Sequence, residues 1–149
     1  MLSGGGIDNG HSTNGSPPLR PQLEIAMHNP IHWFEIPASD FERATHFYET
    51  VFAVSLQREQ FAGFGTMAVF PHAEGQAGGA VVALDKYKPG SDGPVLYLDG
   101  GADLSGPLQR AVALGGKVLM EKTQLPDSIG SIALFLDSEG NRIGLHSPA

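Results

Sequence analysis

The stretch NPIHWFEIPASDFERATHFYETVF, residues 29–52, decides how the chain is read. Its first half is rich in aromatic and β-branched residues. The alternation puts Trp33 and Glu35 on one face and His32, Phe34 and Ile36 on the other, which predicts a strand. Its second half changes period. Ser39 followed by Glu42 has the form of a capping box, and Phe41, Ala44, Tyr48 and Val51 then recur at helical spacing as one apolar stripe.

Outward from this strand and helix, three short extended segments follow: VSLQREQ, FGTMAVFP and GGAVVALD, punctuated by Gly, Pro and Asp. Then the order begins again. GPVLYLD reads as a strand, and ADLSGPLQRAVAL as a helix with Asp103 or Ser105 as N-cap and Gly115 just past its end. GKVLMEK, GSIALFLD and NRIGLHS are extended, and the turn DSEGN joins the last two as a hairpin. The polar run EKTQLPDSIG, with Pro126 and Gly130, reads as a mobile flap.

The element order is therefore βαβββ twice, with starts roughly 60 residues apart. One copy alone has a single helix to cover its sheet, whereas two copies can pair curved sheets around a cleft suited to a small molecule. We expect an α+β fold of two βαβββ modules, about residues 29–88 and 93–149, with curved mixed sheets forming a cleft. An ordinary α+β sandwich without a cleft is the alternative.

Composition narrows the function classes. The chain has 149 residues, 41% hydrophobic, enough for one domain with a sizeable core. The formal net charge is −7 and no Lys/Arg cluster occurs, which argues against nucleic acid as a partner. No apolar run approaches membrane-spanning length. The absence of cysteine excludes disulfides, thiolate metal sites and cysteine nucleophiles. Residues 1–28, rich in Gly, Ser, Asn and Pro and without an apolar period, read as a disordered leader lacking the pattern of a secretion signal, and His11 within them receives no role. A cytoplasmic location is expected.

The pattern Pro37, Asp40, Arg43, Ala44, Phe47, Tyr48, with the closing phrase GSIALFLDSEGNRIGLHS, resembles the vicinal oxygen chelate superfamily, which includes glyoxalase I, bleomycin-resistance proteins and extradiol dioxygenases. The resemblance covers about Asn29 to Ser147, and within the superfamily it is nearest to a glyoxalase-related group that shares the phrases WFEIP and EGNRIGLHS. It implies the two-module fold, a small-molecule ligand and frequent homodimers. In the metal enzymes of the superfamily it also implies four inward His or Glu ligands to one divalent ion. Carried over one at a time, those four positions fall on Trp33, on the stretch GGAVVALD, which offers only Gly, Ala, Val and Leu before Asp85, near Val95 and on Gly144. None offers a donor side chain, so no metal or other cofactor is expected, a divalent metal at a rearranged site being the alternative.

The expected ligand pocket comprises Trp33, Glu35, Tyr97, Gly144 and His146. Trp33 reads as a pocket or core wall. Glu35 is either a hydrogen-bond acceptor or base for a ligand, or an internal partner that ties the modules together. Gly144 leaves space where the family ligand would project, and His146 follows on the same face. Glu35 and His146, if they meet, form a carboxylate–imidazole pair and are the catalytic candidates. Tyr97 is in phase with Val95 and reaches the cleft. The remaining histidines, His32, His46 and His72, have no metal spacing, and the glycines between Gly75 and Ala80 do not form a phosphate loop. The preferred reading is a glyoxalase/bleomycin-resistance-like protein that binds a small organic ligand without the usual metal. The alternatives are a lyase, isomerase or dioxygenase-type enzyme related to lactoylglutathione lyase, and a non-catalytic interaction module.

Overall fold

The computed structural model describes residues 29–63 and 65–149, so the expected leader at 1–28 lies outside the described residues. Residues Ile31–Ala149 form one compact unit. Its first module runs β1 (Trp33–Pro37), α1 (Phe41–Phe52), β2 (Gln57–Phe61), β3 (Gly65–Val69) and β4 (Gly78–Val82). The second runs β5 (Leu96–Asp99), α2 (Ser105–Ala113), β6 (Lys117–Leu125), β7 (Gly130–Leu136) and β8 (Arg142–Ser147). Each module makes a four-stranded mixed sheet, ordered β1-β4-β3-β2 and β5-β8-β7-β6. The first strand of each pairs parallel with the last, and the other pairings are antiparallel. This is the expected doubled α+β architecture, and neither sheet closes into a barrel. Among the described residues, no helix is long and apolar enough to cross a membrane.

Pleating assigns each strand residue to a face. On one face of each sheet, Ile36, Ala68 and Val81 from the first module and Ala133, Phe135, Ile143 and Leu145 from the second join the helical Phe47, Tyr48, Val51, Leu108 and Ala111 in one core. Both sheets thus turn their helix-side faces into shared apolar packing. Emptying one large site such as Phe47, which is 1% exposed, would cost about 3–5 kcal/mol.

The caps depart from expectation in an instructive way. Asp40, not Ser39, is the N-cap of α1, and its side chain accepts from the Arg43 N–H. Ser39 and Asp40 instead donate their own N–H groups to Oε1 of Glu139, at 3.0 and 2.8 Å, a hundred residues away in sequence. With those donors satisfied from outside, Glu42 turns to Arg58 at 2.7 Å. At α2 the N-cap is Leu104, not Asp103 or Ser105; Asp103, one residue earlier, accepts from the Ser105 N–H, and Gly115 takes the left-handed φ of 92° just past the helix end.

Glu139 belongs to a polar clasp that closes the β7–β8 turn onto α1. It pairs with Arg43 at 2.8 Å through a side chain that is 0% exposed. Asp137, 3% exposed, accepts from the Tyr48 hydroxyl at 2.6 Å, from the Asn141 amide at 2.9 Å and from the backbone N–H groups of Glu139 and Asn141. Asn141 also donates to the Pro37 carbonyl. Burial, reinforced by Asp137, pushes the Tyr48 phenol well above its ordinary value, so it stays a donor. Burial raises the Glu139 carboxyl, but hydrogen bonds from Arg43, the Asp40 N–H and Ser138 outweigh it and hold the group below its usual range.

The expected flap is a correction. Thr123, Gln124 and Leu125 are registered against Ile132, Ser131 and Gly130 as the outer end of a β6–β7 hairpin. The Gln124 side chain accepts from the Ser131 hydroxyl and donates to the Gly130 carbonyl, fastening that end. Only residues 126–129 remain a turn.

Candidate functional site

The face of the first sheet opposite the shared core forms a trough. Register fixes its cross-section. Glu35 lies beside Ala80, and Ala80 beside Val69; Val82 lies beside Met67, and Met67 beside Glu59. The middle strands therefore supply an apolar floor in which Met67, Val69, Ala80 and Val82 are all buried. The edge strands supply rims about 14 Å apart, three strand spacings. Each rim carries one aromatic ring and one carboxylate at alternate positions: Trp33 and Glu35 on β1, Phe61 and Glu59 on β2. Alternation is what lets both project to the same side.

A cavity of about 590 Å³ occupies this trough, lined by Trp33, Glu35, Glu59, Phe61, Met67, Val69 and His72. Trp33 and His72 meet edge to face with centroids 6.3 Å apart. Gly78 permits that approach, because a Cβ there would sit 3.0 Å from both rings. The His72 Nδ1 faces the Phe70 carbonyl at 3.0 Å, which orients the imidazole. Trp33 and Phe61 each remain 39% exposed, unusual for large rings beside a buried floor. Neither Glu35 nor Glu59 has a cation within ion-pair distance among the described residues; the one recorded partner of Glu35 is the Trp33 indole N–H, at a long 3.5 Å.

The five residues expected to line one pocket separate into two groups. Trp33 and Glu35 share the trough. Tyr97, Gly144 and His146 sit together on the second sheet, where Tyr97 pairs with Gly144 and Asp99 with His146. The trough is not lined by any of these three, and neither is a second cavity of about 400 Å³ that Glu35 borders with Lys88 and Arg142. The expected Glu35–His146 pair is not formed: Nε2 of His146 lies 2.7 Å from the Ile129 carbonyl, at the tip of the β6–β7 hairpin. Gly144 does not leave a ligand-sized gap either. A Cβ there would stand 2.5 Å from the Tyr97 ring, so Tyr97, directly opposite in register, already covers it.

Glu59, Phe61, Met67, Val69 and His72 received no role from sequence. The signal was present in the alternation of QREQF and GTMAV, but only the strand order shows that those alternate residues face the same side as Trp33.

A third cavity, about 650 Å³, lies on the helix side between Phe34, Phe52, Phe70, Leu98 and Arg110. It is larger, yet its polar groups are committed: Arg110 donates twice to the Val51 carbonyl, Asp99 accepts from the Gly101 N–H and Asp103 from the Ser105 N–H. The trough is the better candidate because its carboxylates are not engaged in this way. No three His, Asp or Glu side chains gather closely enough to hold a metal ion among the described residues.

Doubled βαβββ modules with this strand order, carrying a trough on one sheet, define a family, and comparison with known proteins agrees. Residues 30–145 match the model of the Glyoxalase/Bleomycin resistance protein/Dioxygenase superfamily, and the chain belongs to that superfamily. TnmS3, an antibiotic binding protein from Streptomyces sp. CB03234, is similar at 25% identity over 83% of this chain and 98% of its own, with a TM-score of 0.55. A glyoxalase/bleomycin resistance protein from the same organism is similar at 24% identity over 78% and 99% of the two chains, with a TM-score of 0.55. A glyoxalase I mutant from Zea mays shares the fold at 19% identity over 80% of this chain and 46% of its own, with a TM-score of 0.58. Comparison with curated proteins gave no match.

Proposed function

We propose that this chain binds a small organic molecule in the trough of the first sheet and does so without the superfamily's divalent ion. The observation that carries the reading is the trough itself: a cavity of about 590 Å³ with a buried aliphatic floor, two half-exposed rings and carboxylates that have no cationic partner among the described residues. Small-molecule sites have this make-up, apolar walls with a few polar groups that orient the ligand. The similarity to an antibiotic binding protein supports it. A homodimer is part of the proposal, since Tyr97, Leu119 and Ile129 leave large apolar surfaces exposed on the second module that a second copy would cover.

Trp33 is the only tryptophan in the chain, so its emission reports on the trough. Titration with a panel of aromatic small molecules of different charge should give saturable emission changes and thermal stabilisation. Trp33→Ala should weaken the stabilisation while leaving the fold intact by circular dichroism. A panel without effect on emission or melting would refute the binder. Stoichiometric metal in protein purified without chelator would refute its metal-free clause.

A further inference from the structure

We infer that the trough selects a cationic aromatic ligand, a flat ring system bearing a permanent or protonated positive charge; this deepens the binding reading above and rests on it. Two carboxylates, Glu35 and Glu59, line the cavity, and among the described residues no Lys or Arg does. A ligand entering the trough meets a carboxylate on each rim, neither of them in an ion pair among the described residues, and His72, the other titratable side chain of the cavity, faces the Phe70 carbonyl. The chain's net charge of −7 adds a long-range field of the same sign that draws cations in.

The rings supply the second half of the recognition. Trp33 and Phe61 stand on opposite rims, each two residues from a carboxylate on its own strand. Such a pair offers an aromatic face and an anionic oxygen to one ligand group. A cation over an aromatic face is attracted by the ring's quadrupole, most strongly for indole. An anionic ligand would gain the same floor and rings but meet repulsion from both carboxylates. A neutral apolar ligand would gain the floor and rings but leave both carboxylates partly desolvated without a counter-charge.

The test uses three probes that share one bicycle and differ in charge: N-methylquinolinium, the uncharged methylquinoline lepidine, and the carboxylate cinchoninate. Affinities are measured by titration calorimetry at mildly alkaline pH, where lepidine is neutral. The cation should bind about tenfold more tightly than lepidine, and cinchoninate should bind weakest. Glu35→Gln and Glu59→Gln, which keep the side-chain shape, should each narrow the gap between the cation's affinity and lepidine's, by weakening the cation and relieving the desolvation that lepidine imposes on the carboxylate. Added salt should weaken the cation selectively. The inference is overturned if lepidine binds as well as the cation, or if the charge preference survives both substitutions. When cation and lepidine bind equally and Trp33→Ala weakens both, the trough remains a binding site and only its charge selectivity is lost. When none of the three binds, the charge selectivity and the binding reading fall together.

Discussion

The clasp at the β7–β8 turn and the trough on the first sheet are both built from carboxylates and aromatic rings, and they treat them oppositely. In the clasp, Asp137 takes four hydrogen bonds and Glu139 caps a helix start while pairing with Arg43. In the trough, Glu35 and Glu59 have no ion pair among the described residues, and Trp33 and Phe61 stay half exposed. A buried carboxylate without partners is costly, so a fold keeps one inside only when its partners come with it. Carboxylates held at a cavity rim without an ion pair contribute little to the folded chain and are available to a ligand. The clasp should answer to stability measurements and the trough to binding measurements.

The largest separation is expected at Asp137. Asp137→Ala strips four donors of their acceptor and should cost about 3 kcal/mol, lowering the melting temperature by about 10 °C. Tyr48→Phe removes one of those bonds and should cost about 1–2 kcal/mol, read by chemical denaturation. Neither should change the trough's intrinsic affinity for a ligand in the folded protein; a large change in that affinity would break the contrast.

Acid sharpens it. The folded Glu139 carboxyl is held below its ordinary value, so its contribution is complete above the unfolded carboxylate pKa, about 4.3, and fades as pH falls through the lower folded value. Denaturation midpoints of wild type should therefore fall more steeply below that pH than those of Glu139→Gln. Parallel curves would contradict the assignment. At the trough the smallest stability effects are expected. Glu35→Gln and Glu59→Gln should shift unfolding by no more than about 0.5 kcal/mol, within the range of surface substitutions.

The clasp also explains what could be read from sequence. Pro37, Asp40, Arg43 and Tyr48, with the DSEGN turn, carried the family resemblance, and they are the residues that lock one module to the other. Their spacing is tied to the fold because their partners are in the fold. Element order was likewise legible, since period two and period 3.6 leave distinct marks on IHWFEIP and FERATHFYETVF. The helix start was misread by one residue because Ser39 donates to Glu139, a contact across the chain that no local pattern contains. The trough was half legible. Trp33 and Glu35 were found on one strand, but Glu59 and Phe61 required the sheet order, and Tyr97, Gly144 and His146 were grouped with them on the premise that both modules open onto one pocket. Alternation says which residues share a side of their own strand and is silent about which strands face the same cavity.

The most direct test of the account is an amide chemical-shift map recorded during titration with N-methylquinolinium or with any panel member that changes Trp33 emission. The account predicts that the largest saturable shifts fall at Trp33, Glu35, Glu59, Phe61, Met67 and Val69, with Tyr48, Asp137 and Asn141 nearly still. Shifts concentrated at Tyr97, Gly144 and His146, or around Phe52, Leu98 and Arg110 on the helix side, would contradict it.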